Sequence, residues 1–165
     1  MLIKTVVVGD LQTNCYILIK DNKALVIDPG DDFAKIKNEL NNYDVIGCYI
    51  THSHFDHIGA LDELLKEYNL KLNNQKELVF DFDVIETPGH TDDSVTYYFK
   101  EDKIMFTGDF IFYRSIGRTD LGGNDKDMLD SLEIIKKYPD DIKIYPGHGL
   151  STILGDEKKY FSYYY

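Results

Sequence analysis

The stretch His52-Ser53-His54-Phe55-Asp56-His57 holds three of the chain's five histidines and one aspartate within six positions. Imidazole is the commonest side-chain ligand for borderline metals, and carboxylates complete sites for hard or borderline ones. In an extended segment His52 and His54 lie on one side of the chain. Asp56 and His57 follow where the chain turns into a helix, so the motif supplies ligands to two adjacent metals. The remaining histidines and one further aspartate recur in a common setting. Each follows a strand-like run and a Gly or Pro-Gly: His90 in "VIETPGHTDDS", Asp109 in "KIMFTGDF" and His148 in "KIYPGHG". Surface histidines would scatter over helices, turns and the tail, and here none does. In "TPGH" and "YPGH" Pro stops the strand and the adjacent Gly allows a tight turn that aims the next side chain out of a loop. The chemistry expected of such a set is the binding of metal ions.

The surrounding elements must deliver these loops. Residues 2–8, 14–20 and 23–28 read as three strands joined by tight turns, and 32–41 shows helical apolar spacing through Phe33, Ile36 and Leu40. "YDVIGCYIT" is a buried strand. "GALDELLKEYN" is a helix with Leu61, Leu64, Leu65 and Tyr68 on one face. "ELVFDFDVIETPG" reads as extended, "SVTYYFK" and "KIMFTG" as a hairpin, residues 126–137 as a helix, and "IKIYPGHG" as a short strand ending in a turn. The terminal "YFSYYY" either packs on the domain or frays. Helices alternating with strands predict helix layers on mixed sheet in one domain spanning 1–165.

Bulk composition narrows the function. A formal net charge of −11 opposes non-specific nucleic-acid binding, while a local metal site would still attract a small anion. Cys15 and Cys48 sit in apolar strand-like runs and read as buried thiols. No signal-peptide pattern and no apolar run near ~18 residues is present, so the expected setting is cytoplasmic, with no membrane partner.

The ordered set "THSHFDH", "TPGHT", "FTGD" and "YPGHG" resembles the metallo-β-lactamase superfamily. "LQTNCYIL", "VIDPGDD" and "RSIGRTDLGGND" narrow the resemblance to its glyoxalase II-like, hydroxyacylglutathione hydrolase-like branch, in a short form without the helical C-terminal domain. The resemblance covers about residues 3–157. It implies an α/β fold, the αββα sandwich of two mixed sheets flanked by helices. It also implies two divalent metal ions, zinc first, with iron or manganese as alternatives. By position His52, His54 and His90 would bind one metal, Asp56, His57 and His148 the other, and Asp109 both. Asp56 and Asp109 would be the catalytic carboxylates around a metal-bridging hydroxide, and the substrate a small thioester of hydroxyacyl-glutathione type or a related ester. Asp28 of "DPG" would support the ligands, or else cap the following helix. Arg118 would clamp a substrate carboxylate, or else pair with Asp120; Arg114 and Tyr113 are further candidates at the substrate. Other readings on the same fold are a mononuclear iron persulfide dioxygenase and a metal-binding relative without catalysis. One departure stands out. His90 follows His57 by only 33 positions, shorter than the family's usual spacing, which bears on the pocket wall rather than on the ligands.

Overall fold

The computed structural model describes residues 1–164, and the chain divides into two compact units, Met1–Asp81 and Phe82 onward. Tyr165, the last residue of the aromatic tail, lies outside the described residues.

The first unit is a five-stranded sheet with helices. Strands β1 (Leu2–Val8), β2 (Thr13–Lys20) and β3 (Lys23–Ile27) form an antiparallel meander. The turn from β2 to β3 is two residues long, and Asp21 and Asn22 both have positive φ, the conformation that matches strand twist in a tight hairpin. Helix α1 (Phe33–Leu40) then carries the chain across to β4 (Asp44–Tyr49), which pairs parallel with β3. Two further helices, α2 (Phe55–Ile58) and α3 (Leu61–Glu67), precede the short edge strand β5 (Asn74–Gln75). The sheet order is β1-β2-β3-β4-β5. Ile36 and Leu40 of α1 and Leu61 and Leu64 of α3 pack with Val6, Cys15, Ile17, Val26, Val45 and Cys48 in one core.

The second unit repeats the plan. Strands β6 (Asp83–Glu86), β7 (Val95–Phe99) and β8 (Ile104–Gly108) are antiparallel neighbours. A two-stranded ribbon follows, β9 (Ile111–Phe112) with β10 (Ser115–Ile116). Helix α4 (Asp125–Ile135) crosses to β11 (Lys143–Pro146), parallel to β8, and β12 (Thr152–Ile153) closes the order β12-β11-β8-β7-β6. Asn124 caps α4, its side chain accepting from the Asp127 N–H at 2.9 Å. Met128, Leu132 and Ile135 of α4 share a core with Met105, Ile142, Ile144 and Phe161. Phe161 belongs to a 3-10 turn, Phe161–Tyr163, after the short helix α5 (Leu154–Glu157), so this part of the tail packs rather than frays.

The expected meander, both crossover helices and the later strands are all present, in two mixed sheets each with helices. The extended reading of 77–89 shrinks to β6, and the edge pieces β5, β9, β10 and β12 escape sequence patterning because two residues show no period. No helix among the described residues is long and apolar enough to cross a membrane.

Candidate metal centre

Parallel pairing aligns the carboxyl ends of neighbouring strands, and each unit uses this to assemble its ligands. In the first unit, the Asp28 N–H donates to the Tyr49 carbonyl at 3.0 Å, setting the end of β3 beside the end of β4. Asp28 is 1% exposed. Its carboxylate accepts from the Thr51 N–H at 2.7 Å, from the Thr51 hydroxyl at 2.7 Å and from His57 Nδ1 at 2.9 Å. Its side chain therefore braces the ligands; the residue at the start of α1 is Asp32, not Asp28.

These bonds fix where the imidazole protons sit. A carboxylate only accepts, so His57 carries its proton on Nδ1 and its Nε2 lone pair is left for a metal. The Thr51 hydroxyl spends its proton on Asp28, so at 3.1 Å from His52 Nδ1 it can only accept. His52 is thus also protonated on Nδ1, which leaves Nε2, 3.1 Å from His54 Nδ1, as its unprotonated nitrogen. One buried carboxylate holds two ligands in the metal-binding tautomer, the second through a threonine. Thr51 was not legible as functional; its only sequence signal is its place between the strand and the first histidine.

The donor atoms are spaced for a cation. His52 Nε2 and His54 Nδ1 are 3.1 Å apart, and His57 Nε2 and Asp56 Oδ2 3.5 Å apart. Ligands bound at 2.0–2.1 Å in tetrahedral geometry are separated by roughly 3.3–3.4 Å. The second pair exceeds ordinary hydrogen-bond length. Thr13, at the start of β2, donates its hydroxyl to Asp56 Oδ2 at 2.8 Å and fixes the carboxylate rotation. Gly30 of "DPG" lies backbone to backbone on α2: a Cβ there would stand 1.8 Å from the Asp56 carbonyl oxygen.

The second unit gathers His90, Asp109 and His148. The Gly147 N–H donates to the Gly108 carbonyl at 2.8 Å where β11 leaves β8, which puts the loop carrying His148 beside Asp109. The Nε2 atoms of His90 and His148 each lie 3.5 Å from the same oxygen, Asp109 Oδ2. Two imidazole nitrogens within this distance of one carboxylate oxygen form a donor cluster that could hold a divalent cation. His90 Nδ1 lies 2.7 Å from the Arg118 carbonyl, which must accept, so again Nδ1 carries the proton and Nε2 is the unprotonated nitrogen. Gly117 permits that approach: a Cβ on it would meet the Asp109 carbonyl oxygen at 1.8 Å and His90 Nδ1 at 3.1 Å.

The donor set therefore fits divalent metal in both units. Arg118, by contrast, directs its exposed guanidinium at Asp120 through a two-pronged pair of 2.6 Å bonds, which holds the Asp120 carboxyl down to about 2. Arg114 lies with its guanidinium over the rings of Tyr113 and Tyr160, and its backbone N–H donates to Glu157 Oε2 at 2.8 Å. Glu157, 2% exposed and invisible to motif reading, also accepts from the Thr152 hydroxyl at 2.5 Å.

The sequence pattern of the metallo-beta-lactamase superfamily matches residues 8–72 and 73–148. The chain belongs to that superfamily. Within the family, the hydroxyacylglutathione hydrolase GloC of Haemophilus influenzae is 29% identical, with 96% of each chain covered. Among solved family structures, that of the BLEG-1 B3 metallo-beta-lactamase superposes with a TM-score of 0.89 at 29% identity, covering 99% of both chains. The di-iron-bound form of TTHA1623 gives 0.84 at 28% identity, covering 92% of this chain and 95% of that one. The fold and the glyoxalase II-like resemblance expected from the motifs are thus both found, and the family is one of metallo-hydrolases.

Proposed function

We propose that this chain is a binuclear metallo-hydrolase of small thioesters, of hydroxyacyl-glutathione type, working as one domain over 1–165. The observation that carries the reading is the GloC relative, which corresponds to this chain over 96% of both lengths. The match runs along nearly the whole of this chain, in an alignment of 203 positions in which GloC carries insertions relative to the 165 residues here. His52, His54 and His90 would hold one metal, Asp56, His57 and His148 the other, and Asp109 would be shared, in the order of the family's ligands. Zinc suits the N/O donors, and the di-iron form of TTHA1623 supports iron as the alternative.

When bound, such a pair lowers the pKa of water and polarises a carbonyl. The chain's own residues do the rest. Asp28 and Thr51 keep protons on Nδ1 of His57 and His52, and the Arg118 carbonyl does so for His90. Thr13 locks Asp56 so that this carboxylate can orient the attacking water. A C–O bond forms to the acyl carbon, the C–S bond breaks, and the thiol leaves with a proton. At neutral pH Asp120 is ionised and holds Arg118, so a substrate carboxylate would have to compete for that guanidinium; Tyr113 and Arg114 on the ribbon turn are the other candidates for substrate contact. Two free, buried thiols suit a reducing cytoplasmic setting.

The test is metal analysis of protein as purified, then hydrolysis of S-lactoylglutathione with zinc, iron or manganese restored. Two metals per chain with turnover lost in His54→Ala sustains the proposal. Metal without turnover on thioesters or esters overturns it, and one iron with oxygen uptake on glutathione persulfide replaces it with the dioxygenase. A β-lactam belongs in the same panel because BLEG-1 is a β-lactamase of the family.

A further inference from the structure

An open pocket of about 350 Å³ lies wholly within the second unit, lined by Phe112, Tyr113, Ser115, His148, Gly149 and Leu150. Its floor is a metal-ligand candidate and its walls are apolar: the Phe112 and His148 rings are 6.2 Å apart, and Leu150 and Tyr113 are 73% and 50% exposed. An apolar leucine and a tyrosine facing solvent beside a ligand histidine need a reason that stability does not provide.

The pocket is also held in shape. Phe112 and Ser115 pair across the β9–β10 ribbon, and the turn between them contains Arg114 at φ 56, a strained value for a side chain of that size. The buried Glu157 carboxylate accepts the Arg114 backbone N–H and ties the turn to α5. The Ser115 hydroxyl donates to the Ile116 carbonyl, and the Arg114 guanidinium is laid over Tyr113 and Tyr160. The polar groups near the pocket are thus turned to their own chain, leaving hydrocarbon for a ligand.

We infer that this pocket is the acyl subsite, taking the hydrocarbon portion, straight or aromatic, of the acyl group on the thioester carbonyl. The inference rests on the thioesterase reading. Continuity with His148 decides the occupant: the acyl substituent is one bond from the reacting carbon, and its hydrocarbon matches the lining. Glu157 is then a positioning residue for the ribbon that forms one wall.

The experiment varies one side of the thioester at a time on the metal-loaded full chain. With N-acetylcysteamine fixed as the thiol, acyl groups run from acetyl to hexanoyl. With acetyl fixed, the thiol runs from N-acetylcysteamine to glutathione. Full burial of a methylene is worth about fourfold, so a half-open pocket should raise kcat/KM roughly twofold per carbon in the acyl series. Leu150→Ser, at an exposed position that cannot unfold the chain, and Phe112→Leu should both flatten that slope. A slope that neither variant changes, or variants that alter only the thiol series, overturns the acyl subsite. If no thioester is hydrolysed, the thioesterase reading fails, and calorimetry with acetate, butyrate and hexanoate on the zinc-loaded protein still decides the pocket. Affinity rising with chain length in wild type and flat in Leu150→Ser sustains it; equal slopes in the two proteins remove it.

Discussion

Replacing Asp28 by asparagine should disable two metal ligands at once without touching either. Asp28 has φ 54, a region asparagine tolerates better than almost any other side chain, so the backbone need not move. The substitution removes one acceptor and introduces an N–H₂ group. If the amide oxygen faces the Thr51 N–H, its nitrogen faces both the Thr51 hydroxyl and His57 Nδ1. The histidine must then surrender its Nδ1 proton and become protonated on Nε2. The Thr51 hydroxyl, now an acceptor from the amide, turns its own proton toward His52 Nδ1, and His52 follows the same inversion. Metal binding would have to reverse both, at the cost of buried hydrogen bonds worth about 1–3 kcal/mol each when left unmade. Loss of an outer partner of a metal-bound histidine typically costs 10–100-fold in affinity, or about 1.4–2.7 kcal/mol. Competition against a chromophoric chelator at neutral pH reads the affinity. Long-range ¹H–¹⁵N correlations of the metal-free protein read the tautomers, with Nδ1–H on His52 and His57 in wild type and Nε2–H in Asp28→Asn. A folded variant whose metal affinity stays within twofold of wild type would refute the relay from Asp28 through Thr51.

Gly117→Ala forces a Cβ onto the Asp109 carbonyl oxygen at 1.8 Å, so the variant should lose metal from the His90–Asp109–His148 set, measured as metal per chain after gel filtration. Leu132→Ala, in the middle of α4 with no exposed surface, should cost 2–5 kcal/mol in urea unfolding with an unchanged slope. Burial pushes the Cys15 and Cys48 thiols up, so neither should react with a disulfide reagent at pH 8 until denaturant is added, when both should. Asp120, held down to about 2 by Arg118, should titrate near that value by NMR and return toward the ordinary ~3.9 in Arg118→Ala. Because the folded value is the lower one, the pair's contribution to stability is present above the ordinary carboxylate value and fades as pH falls toward 2.

The local sequence was enough to nominate candidate ligands, because metal chemistry restricts residue types and Pro-Gly turns mark where strands stop. His52, His54, His90, Asp109 and His148 follow readable strands, Asp56 and His57 lie in the short helix α2 just after one, and the period-2 and helical patterns recovered both crossover units. What pattern could not supply is adjacency. Asp28 was equally a helix cap or a brace until the parallel register of β3 and β4 set it beside Thr51. Arg118 read equally as a clamp or an ion pair, and only the tertiary structure shows its fork on Asp120. Glu157 carries no motif, and Thr13 within "LQTNCYIL" gives no sign of its role, since a carboxylate or hydroxyl gains its role only from a partner 43 positions away. Residue types determined that this chain handles metal, being fixed by ligand chemistry one side chain at a time. Which proton each histidine carries was decided only by tertiary structure, because a hydrogen bond between distant strands has no signature in either strand alone.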